Sequence, residues 1–446
     1  MTIRILSSYL VLFLLLSPLG TYASQDGLTL DDCVKMALER NEKVIGAQYG
    51  VNAAEGQLTE ASANFWPVLD YQYRAAPVPT DVSRAVDSFF EGQVAMFNSL
   101  HVGVGIPLTA FGQIKTAKDL ARHGIEAAKL GVTKEKGVLA SQVTILYYGI
   151  QLAAEIDGLL RDALEKINRR IETEEAKDLP ALSPIEMVKL KLFRAELMTR
   201  RAEILYNRRV AEEGLRIQLA LPDDRQLHLS SYRLLSTSEP LRTPEELLAI
   251  AAEKRPEARL SDVGVAAKSK QFELEKLKLR PRAGVGLFAD VGRTTSSVSG
   301  LTATDDFSDP FNFTRAGVGF QLEGKIDFHG AAGRIDKAKA EYLKASYERN
   351  IAKRGLGLEV RKAHEQARRA QENMSRAEEA EKLARQMLFL AKSNMEIGVD
   401  GKDDYAEALK NVLLTRGLHF QSIFDYNVAM AELTRVTGES NDAPKE

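Results

Sequence analysis

The sequence predicts an α+β membrane protein, in which long α-helical coiled-coil hairpins carry a transmembrane β-barrel. Three observations lead to this prediction. The chain contains an internal duplication, each copy contains a heptad pattern long enough for a very long helix, and each copy contains two short segments of alternating character. Helical hairpins and strands therefore recur together as one block.

The duplication is visible by direct alignment. Residues 36–67 align without a gap on residues 250–281, and the same offset carries HVGVGIPL (101–108) onto RAGVGFQL (315–322). Two copies of one unit therefore fill most of the chain. The predicted divisions are a first repeat at 24–227, an inter-repeat linker at 228–241, a second repeat at 242–438 and a short tail at 439–446.

Residues 1–23 have the pattern of a secretory signal peptide. Arg4 precedes an apolar run, and small residues follow at Thr21-Tyr22-Ala23, where cleavage is expected. After residue 23 no stretch of about 20 apolar residues occurs, so the mature chain would have to cross a membrane with strands. Cys33, the single cysteine, cannot form an internal disulfide, and the acidic residues before it give no convincing lipid-attachment motif. We therefore expect Cys33 to be a free thiol on the face of a helix.

The heptad pattern predicts helices of unequal length. A helix from about Gln113 to Lys177 would be about 98 Å long, and the shorter segments at about 185–220 and 42–65 together nearly match it. One long helix beside two stacked half-helices, twice per chain, predicts a rod of four helical columns. The helices should be interrupted at DLPALSP (178–184) and IGVDGKDD (397–404), because proline and glycine stop helices.

Four strands are predicted, at 68–75, about 100–108, 283–292 and 315–322. Four strands cannot close a barrel, so three chains would have to pool twelve. The membrane-strand residues are Val102, Val104, Ile106, Val318 and Phe320, of which the first three are expected to face lipid. Aromatic residues gather at the strand boundaries, either as an interfacial girdle or packed on one another: Phe65, Trp66, Phe89, Phe90, Phe97, Phe311 and Phe313.

Gly-Val-Gly occurs three times, at 103–105, 284–286 and 317–319. The motif does not form a dinucleotide-binding loop, because Leu108 stands where the third glycine would be required. The first and third motifs align in the duplication. The second does not, and it is interpreted as a coincidence of composition.

Composition and motifs exclude several function classes. The net charge of −2 gives no basic surplus for nucleic acid. The six histidines fall singly, without a metal-ligand spacing, and no nucleotide or hydrolase motif is present. We therefore expect no catalysis, no cofactor and no resident metal.

Three segments together resemble the TolC-like outer-membrane efflux protein family: 28–69, repeated from 242; IGVDGKDDYAEALKNVL (397–413); and DYNVAMAELTRVTGE (425–439). The resemblance implies a homotrimer, with a twelve-strand barrel among the lipids of the outer membrane of a Gram-negative bacterium and a helical tunnel into the periplasm. It implies a passive exit duct of a tripartite efflux or type I secretion system. The implied partners are a periplasmic adaptor and an inner-membrane pump of the RND or ABC type.

The resemblance also implies a periplasmic entrance. Its narrowing acidic residues would be Asp404 and Glu407, beside Asp400 and Asp403, although four acidic residues can also simply solvate a polar turn. The turns expected to contact the adaptor contain Leu179, Pro180, Leu182, Pro184, Gly398, Val399 and Gly401. Pro184 departs from the family pattern, because an acidic residue usually stands there, and Met395 stands where some relatives have a gating tyrosine.

Two other classes of protein share some of these features. A periplasmic adaptor has a long helical hairpin, and a structural coiled-coil protein of the cell envelope has long heptads. The repeated strand pairs at matched positions favour the channel over both. The exported substrate, the particular pump and the resting state of the entrance are left open by the sequence.

Overall fold

The computed structural model describes residues 27–63, 66–109, 112–177, 182–222, 227–296, 298, 310–324, 327–396 and 402–439. The predicted signal peptide lies outside the described residues. The helices are α1 (Leu30–Arg40), α2 (Glu42–Ala63), α3 (Ala85–Phe90), α4 (Gln113–Glu175), α5 (Pro184–Gln218), α6 (Pro244–Lys254), α7 (Pro256–Leu277), α8 (Phe328–Glu396) and α9 (Lys402–Thr437). The strands are β1 (Val68–Pro79), β2 (Val94–Thr109), β3 (Arg282–Thr294) and β4 (Phe313–Glu323).

The long helices are continuous, as the heptads predict. α4 has 63 residues and α8 has 69. One of the clusters that join α4 to α5 buries Leu160, Leu164, Ile167 and Ile171, whose spacing of three and four residues forms one seam. Among the described residues, α4 also has a window of mean hydropathy 1.2, which by length and composition could cross a membrane. Half of that window is buried inside the chain, and a packed core helix can have the same length and composition.

The half-helices stack end to end, which confirms the predicted columns. In the first repeat, α5 ends where α2 begins. Asn41, which lies between α1 and α2, donates from its Nδ2 to the carbonyl of Gln218, the last residue of α5, at 3.0 Å. The corresponding joint in the second repeat brings Gly438, which follows α9, against the backbone of Arg255 between α6 and α7. α4 lies between the two stacked columns, and α8 packs on α7 and α9.

Matching helix caps mark the duplication. Thr29 and Asp32 form a capping box at the start of α1, and Thr243 and Glu246 form one at the start of α6. These pairs are separated by the same offset as the aligned repeats. A side chain that caps backbone N–H groups stabilises a helix start, so both copies begin their entry helix in the same way.

The inter-repeat segment packs across the helices as extended chain. The N–H of Leu28 donates to the carbonyl of His228 at 2.8 Å, and Gln151 of α4 donates to the carbonyl of Ser231 at 2.9 Å. Asn427 of α9, which is buried, donates to the carbonyl of Leu235 at 2.8 Å. The segment therefore ties α1, α4 and α9 together at mid-height.

The strands form one antiparallel sheet in the order β1-β2-β3-β4. Strands β1 and β2 are longer than predicted, because their ladder continues through polar and proline-containing ends to the pair Pro79 and Val94. The connection predicted for residues 76–99 is consequently shorter, and it contains the short helix α3. Within the described residues, β1 and β4 are the edges of the sheet.

Candidate functional site

The ladder register separates the sheet into an apolar face and a polar face. Val102 lies opposite Tyr71 on β1 and opposite Ala289 on β3. Two residues further along the same face, Leu287 on β3 lies opposite Val318 on β4. All five predicted membrane-strand residues share this apolar face: Val102, Val104, Ile106, Val318 and Phe320. On β4, Val318 is 73% exposed and Phe320 is 68% exposed. Such a face is typical of strands between lipid and a water-filled lumen.

The polar face contains a row of glycines. Gly286 lies opposite Gly105 on one side and opposite Gly319 on the other. The motif at 284–286, interpreted from the sequence as a coincidence, therefore has a structural position, because one glycine from each Gly-Val-Gly motif lies in this row: Gly105, Gly286 and Gly319. A Cβ atom at Gly317 would lie 2.9 Å from the ring of Phe288, so glycine at 317 permits this aromatic side chain to cover the neighbouring strand.

Above the glycines, the polar face carries a cross-strand charge row, which we define as Asp70, His101, Asp290 and Arg315. The Nδ1 of His101 contacts a carboxylate oxygen of Asp290, and its Nε2 lies 3.3 Å from Oδ2 of Asp70. Arg315 is the register partner of Asp290 on β4. One imidazole thus joins carboxylates from both adjacent strands.

The aromatic residues do not form one uniform group. Phe97 packs edge-on against Phe311 with 5.7 Å between ring centroids, and Phe313 lies 6.4 Å from Phe97. Phe97 and Phe313 share the polar face, so these rings pack on one another rather than on the apolar side. Trp66 is exposed beside β1, Phe89 and Phe90 are exposed on α3, and Phe65 lies outside the described residues.

The tip of the first hairpin is capped at the start of α5. The Oγ of Ser183 accepts from the N–H of Glu186 at 3.2 Å, and Pro184 is the first helical residue, a position where proline's fixed φ favours the helix. Leu182 is half-buried and Pro184 is exposed. Leu179 and Pro180 lie outside the described residues.

The tip of the second hairpin is described only in part. Gly398, Val399, Asp400 and Gly401 lie outside the described residues, and nothing is described of the side chains of Met395, Asp403 and Asp404. The backbones of Asp403 and Asp404 fall in the first turn of α9, and Glu407 is exposed one turn later. Acidic residues in a first turn are also stabilised by the helix dipole.

Two buried carboxylates interrupt the apolar seams, and the sequence marks each as a charge in a heptad core position. Asp157 of α4 accepts from Nε of Arg201 on α5 at 2.7 Å. Glu381 of α8 lies 2.5 Å from Nδ1 of His419 on α9 and accepts from Nε of Arg385 at 3.0 Å. Burial opposes ionisation of Glu381, but these hydrogen bonds outweigh it and lower the pKa of the carboxyl.

Residues 247–439 match the family described as outer membrane efflux protein. No curated protein sequence matches the chain. Its fold is similar to the CmeC outer membrane channel of Campylobacter jejuni, at 16% identity and a TM-score of 0.77 over 94% of this chain and 87% of that one. It is also similar to the open-state MtrE channel of Neisseria gonorrhoeae, at 15% identity and a TM-score of 0.75 over 92% and 88%.

The geometry and the comparisons together define the class of protein: a channel-type chain of helical hairpins and a small sheet. The family match over the second repeat and the shared fold over nearly the whole chain confirm the resemblance to the TolC-like outer-membrane efflux proteins. The match indicates an outer-membrane location in a Gram-negative cell, with the helices extending into the periplasm. The matched family is one of efflux channels, not of enzymes.

Proposed function

We propose that three copies of this chain form the exit duct of a tripartite efflux or type I secretion system, through which substrates pass passively to the exterior. The observation that carries the proposal is the four-stranded sheet, which combines an apolar face with two edges, β1 and β4, that pair with no further strand among the described residues. Unpaired backbone groups are too costly in lipid, so strands cross a membrane in closed barrels. Pairing of β4 with β1 of the next copy would close twelve strands.

The helices support the same assembly. Near the tip, α5 exposes Ile185, Val188 and Leu192, and α8 exposes Leu383 and Leu390. Leu192 lies about 12 Å above the start of α5, and Leu390 lies about 9 Å above the end of α8, at 1.5 Å per residue. Two apolar stripes at one level, on opposite outer columns of the chain, would cover each other between neighbouring copies.

A crosslinking experiment tests this arrangement. In the variant Leu192→Cys/Leu390→Cys, a short bis-maleimide should convert monomers to dimers and trimers on denaturing gels. The matched control is Leu192→Cys/Glu365→Cys, because Glu365 lies about 46 Å above the end of α8 and is out of reach. Equal crosslinking of both variants, or none of either in the intact membrane, would contradict the proposed trimer.

The periplasmic entrance belongs to the same proposal. Rings of Asp404 and Glu407, with Asp400 and Asp403 beside them, would favour cations at the constriction. Planar-bilayer recordings of Asp404→Asn/Glu407→Gln should then show higher conductance or weaker block by multivalent cations. A channel with unchanged conductance and block would remove these residues from the entrance.

The proposed duct would act with two partner proteins, a periplasmic adaptor and an inner-membrane pump. A periplasmic adaptor would contact the two tip turns, at Leu179, Pro180, Leu182 and Pro184 on one hairpin and at Gly398, Val399 and Gly401 on the other. An inner-membrane pump of the RND or ABC type would supply the substrate. Co-purification of an adaptor with the wild-type chain, and its loss when both turns are replaced by Gly-Ser linkers, tests this contact.

A further inference from the structure

We propose that His101 is the specificity-determining residue of the barrel lumen, where its protonation changes the preference of the duct from cations toward anions. The inference rests on the proposed duct, because it requires the polar face of the sheet to line the water-filled passage. The observations that carry it are the separation of the two faces and the position of the imidazole in the cross-strand charge row.

The separation of the faces assigns the row to the lumen. Along the described strands, the apolar face carries one charged side chain, Arg293 near the end of β3. The opposite face carries the remaining charged groups of the strands, together with the glycine row. In a lipid-embedded barrel the apolar face must lie outward, so His101 and both of its carboxylate partners face the passage.

The charges on this face balance when His101 is neutral. The acidic groups are Asp70 on β1, Asp290 on β3 and Glu323 on β4; the basic groups are Arg74 on β1, Arg282 on β3 and Arg315 on β4. Histidine is the side chain whose ordinary pKa allows its charge to change between pH 5 and 8. His101 therefore controls the net charge, which in a trimer would change from zero to +3 at one level of the barrel.

The geometry makes protonation of His101 possible without rearrangement. One nitrogen contacts Asp290 and the other lies 3.3 Å from Asp70, so each ring nitrogen already faces an acceptor. The imidazole side chain is 41% exposed, so protons can reach it from the lumen. The backbone register, set by the ladder from Val68 to Pro79, holds the row in place.

The expected magnitude follows from Coulomb's law. Three unit charges about 10 Å from the axis of a water-filled passage change the local concentration of a monovalent ion by up to about tenfold, and by less once salt screens them. We therefore expect the ratio of cation to anion permeability to fall about three- to tenfold between pH 8 and pH 5.

The test uses the purified full-length chain in planar bilayers, with a KCl gradient and with the pH changed only in the compartment that contacts the β-sheet end. Keeping the other compartment at pH 7.5 protects the acidic residues of the entrance from titration. The variant His101→Gln should keep the permeability ratio of the wild type at pH 8 and lose its pH dependence. The variant His101→Lys should be pH-independent at the low ratio. The matched control, His228→Gln in the inter-repeat segment, should behave like the wild type.

Each outcome decides the inference. A pH-dependent ratio that persists in His101→Gln, or a wild-type ratio that does not change with pH, would overturn the role of His101 and leave the duct intact. A wild-type chain with no conductance at any pH would overturn the proposed function and the inference with it.

Discussion

The contact between Glu381 and His419 should stabilise the second helical hairpin, and the variant His419→Ala tests this. The Glu381 side chain is 9% exposed, and its Oε2 lies 2.5 Å from Nδ1 of His419. Truncation at 419 removes that contact, whereas Nε of Arg416 on α9 lies 3.9 Å from the other carboxylate oxygen, Oε1. A hydrogen bond to a charged group contributes about 1.5–3 kcal/mol, so the hairpin should open more easily by that amount.

Hydrogen exchange measured by mass spectrometry detects such local opening. With a factor of ten for every 1.4 kcal/mol, amides of α8 and α9 around the contact should exchange about 10- to 150-fold faster in His419→Ala. The matched control is Lys382→Ala. Lys382 follows Glu381 in the sequence, and its side chain forms an exposed ion pair with Glu378. The control should leave the slowest amides unchanged, because exposed ion pairs contribute little. Equal exchange in both variants would refute the reasoning.

The pH dependence of this contact has a definite sign. The pKa of Glu381 is lower in the folded chain than its ordinary value of 4.5, because hydrogen bonds from His419 and Arg385 outweigh burial. A carboxyl with a lowered pKa stabilises the folded state above its unfolded pKa, and this contribution is lost as the pH falls through the folded pKa. Glu381→Gln should therefore accelerate exchange at pH 7, and the difference from the wild type should shrink as the pH falls through the folded pKa of Glu381, which lies below 4.5.

Two further predictions concern the joints and the buried thiol. Gly438 has a φ of +80°, and a Cβ there would lie 2.9 Å from the backbone of Arg255, so Gly438→Ala should destabilise the joint of α9 with α7 by at least about 1–2 kcal/mol. Thermal unfolding should show this, whereas Gly56→Ala, in open space on α2, should not lower stability. Burial raises the pKa of the Cys33 thiol to about 12, so maleimide should not label the native chain at pH 8 and should label it after denaturation.

The sequence was sufficient for most of the helical architecture. Heptad spacing predicted a long helix from about Gln113 to Lys177, and in the structure α4 runs over Gln113–Glu175. The breaks were predictable for the same local reason, since Pro184 begins a helix and cannot continue one. The duplication was visible because residues 36–67 align without a gap on residues 250–281, and the same offset aligns 101–108 with 315–322.

The strands were predicted less completely. Their apolar centres alternate and were recognised, but the ends of β1 and β2 contain Pro77, Pro79 and Asn98, whose pairing depends on the neighbouring strand. The candidate entrance could be named only through the resemblance. Nothing in the local pattern distinguishes acidic residues that line a constriction from those that begin a helix.

The sequence by itself determined the periodicity, the lengths of the helices, the internal repeat and the family resemblance, because these are properties of residues close together in the chain. Only the tertiary structure decided which residues distant in the sequence lie beside one another. It placed one glycine from each Gly-Val-Gly motif in one row, brought Asp70 and Asp290 to either side of His101, and paired Glu381, a charge in a heptad core position, with His419. Ladder register and helix pairing are set by the summed packing of distant segments, and no single segment encodes them.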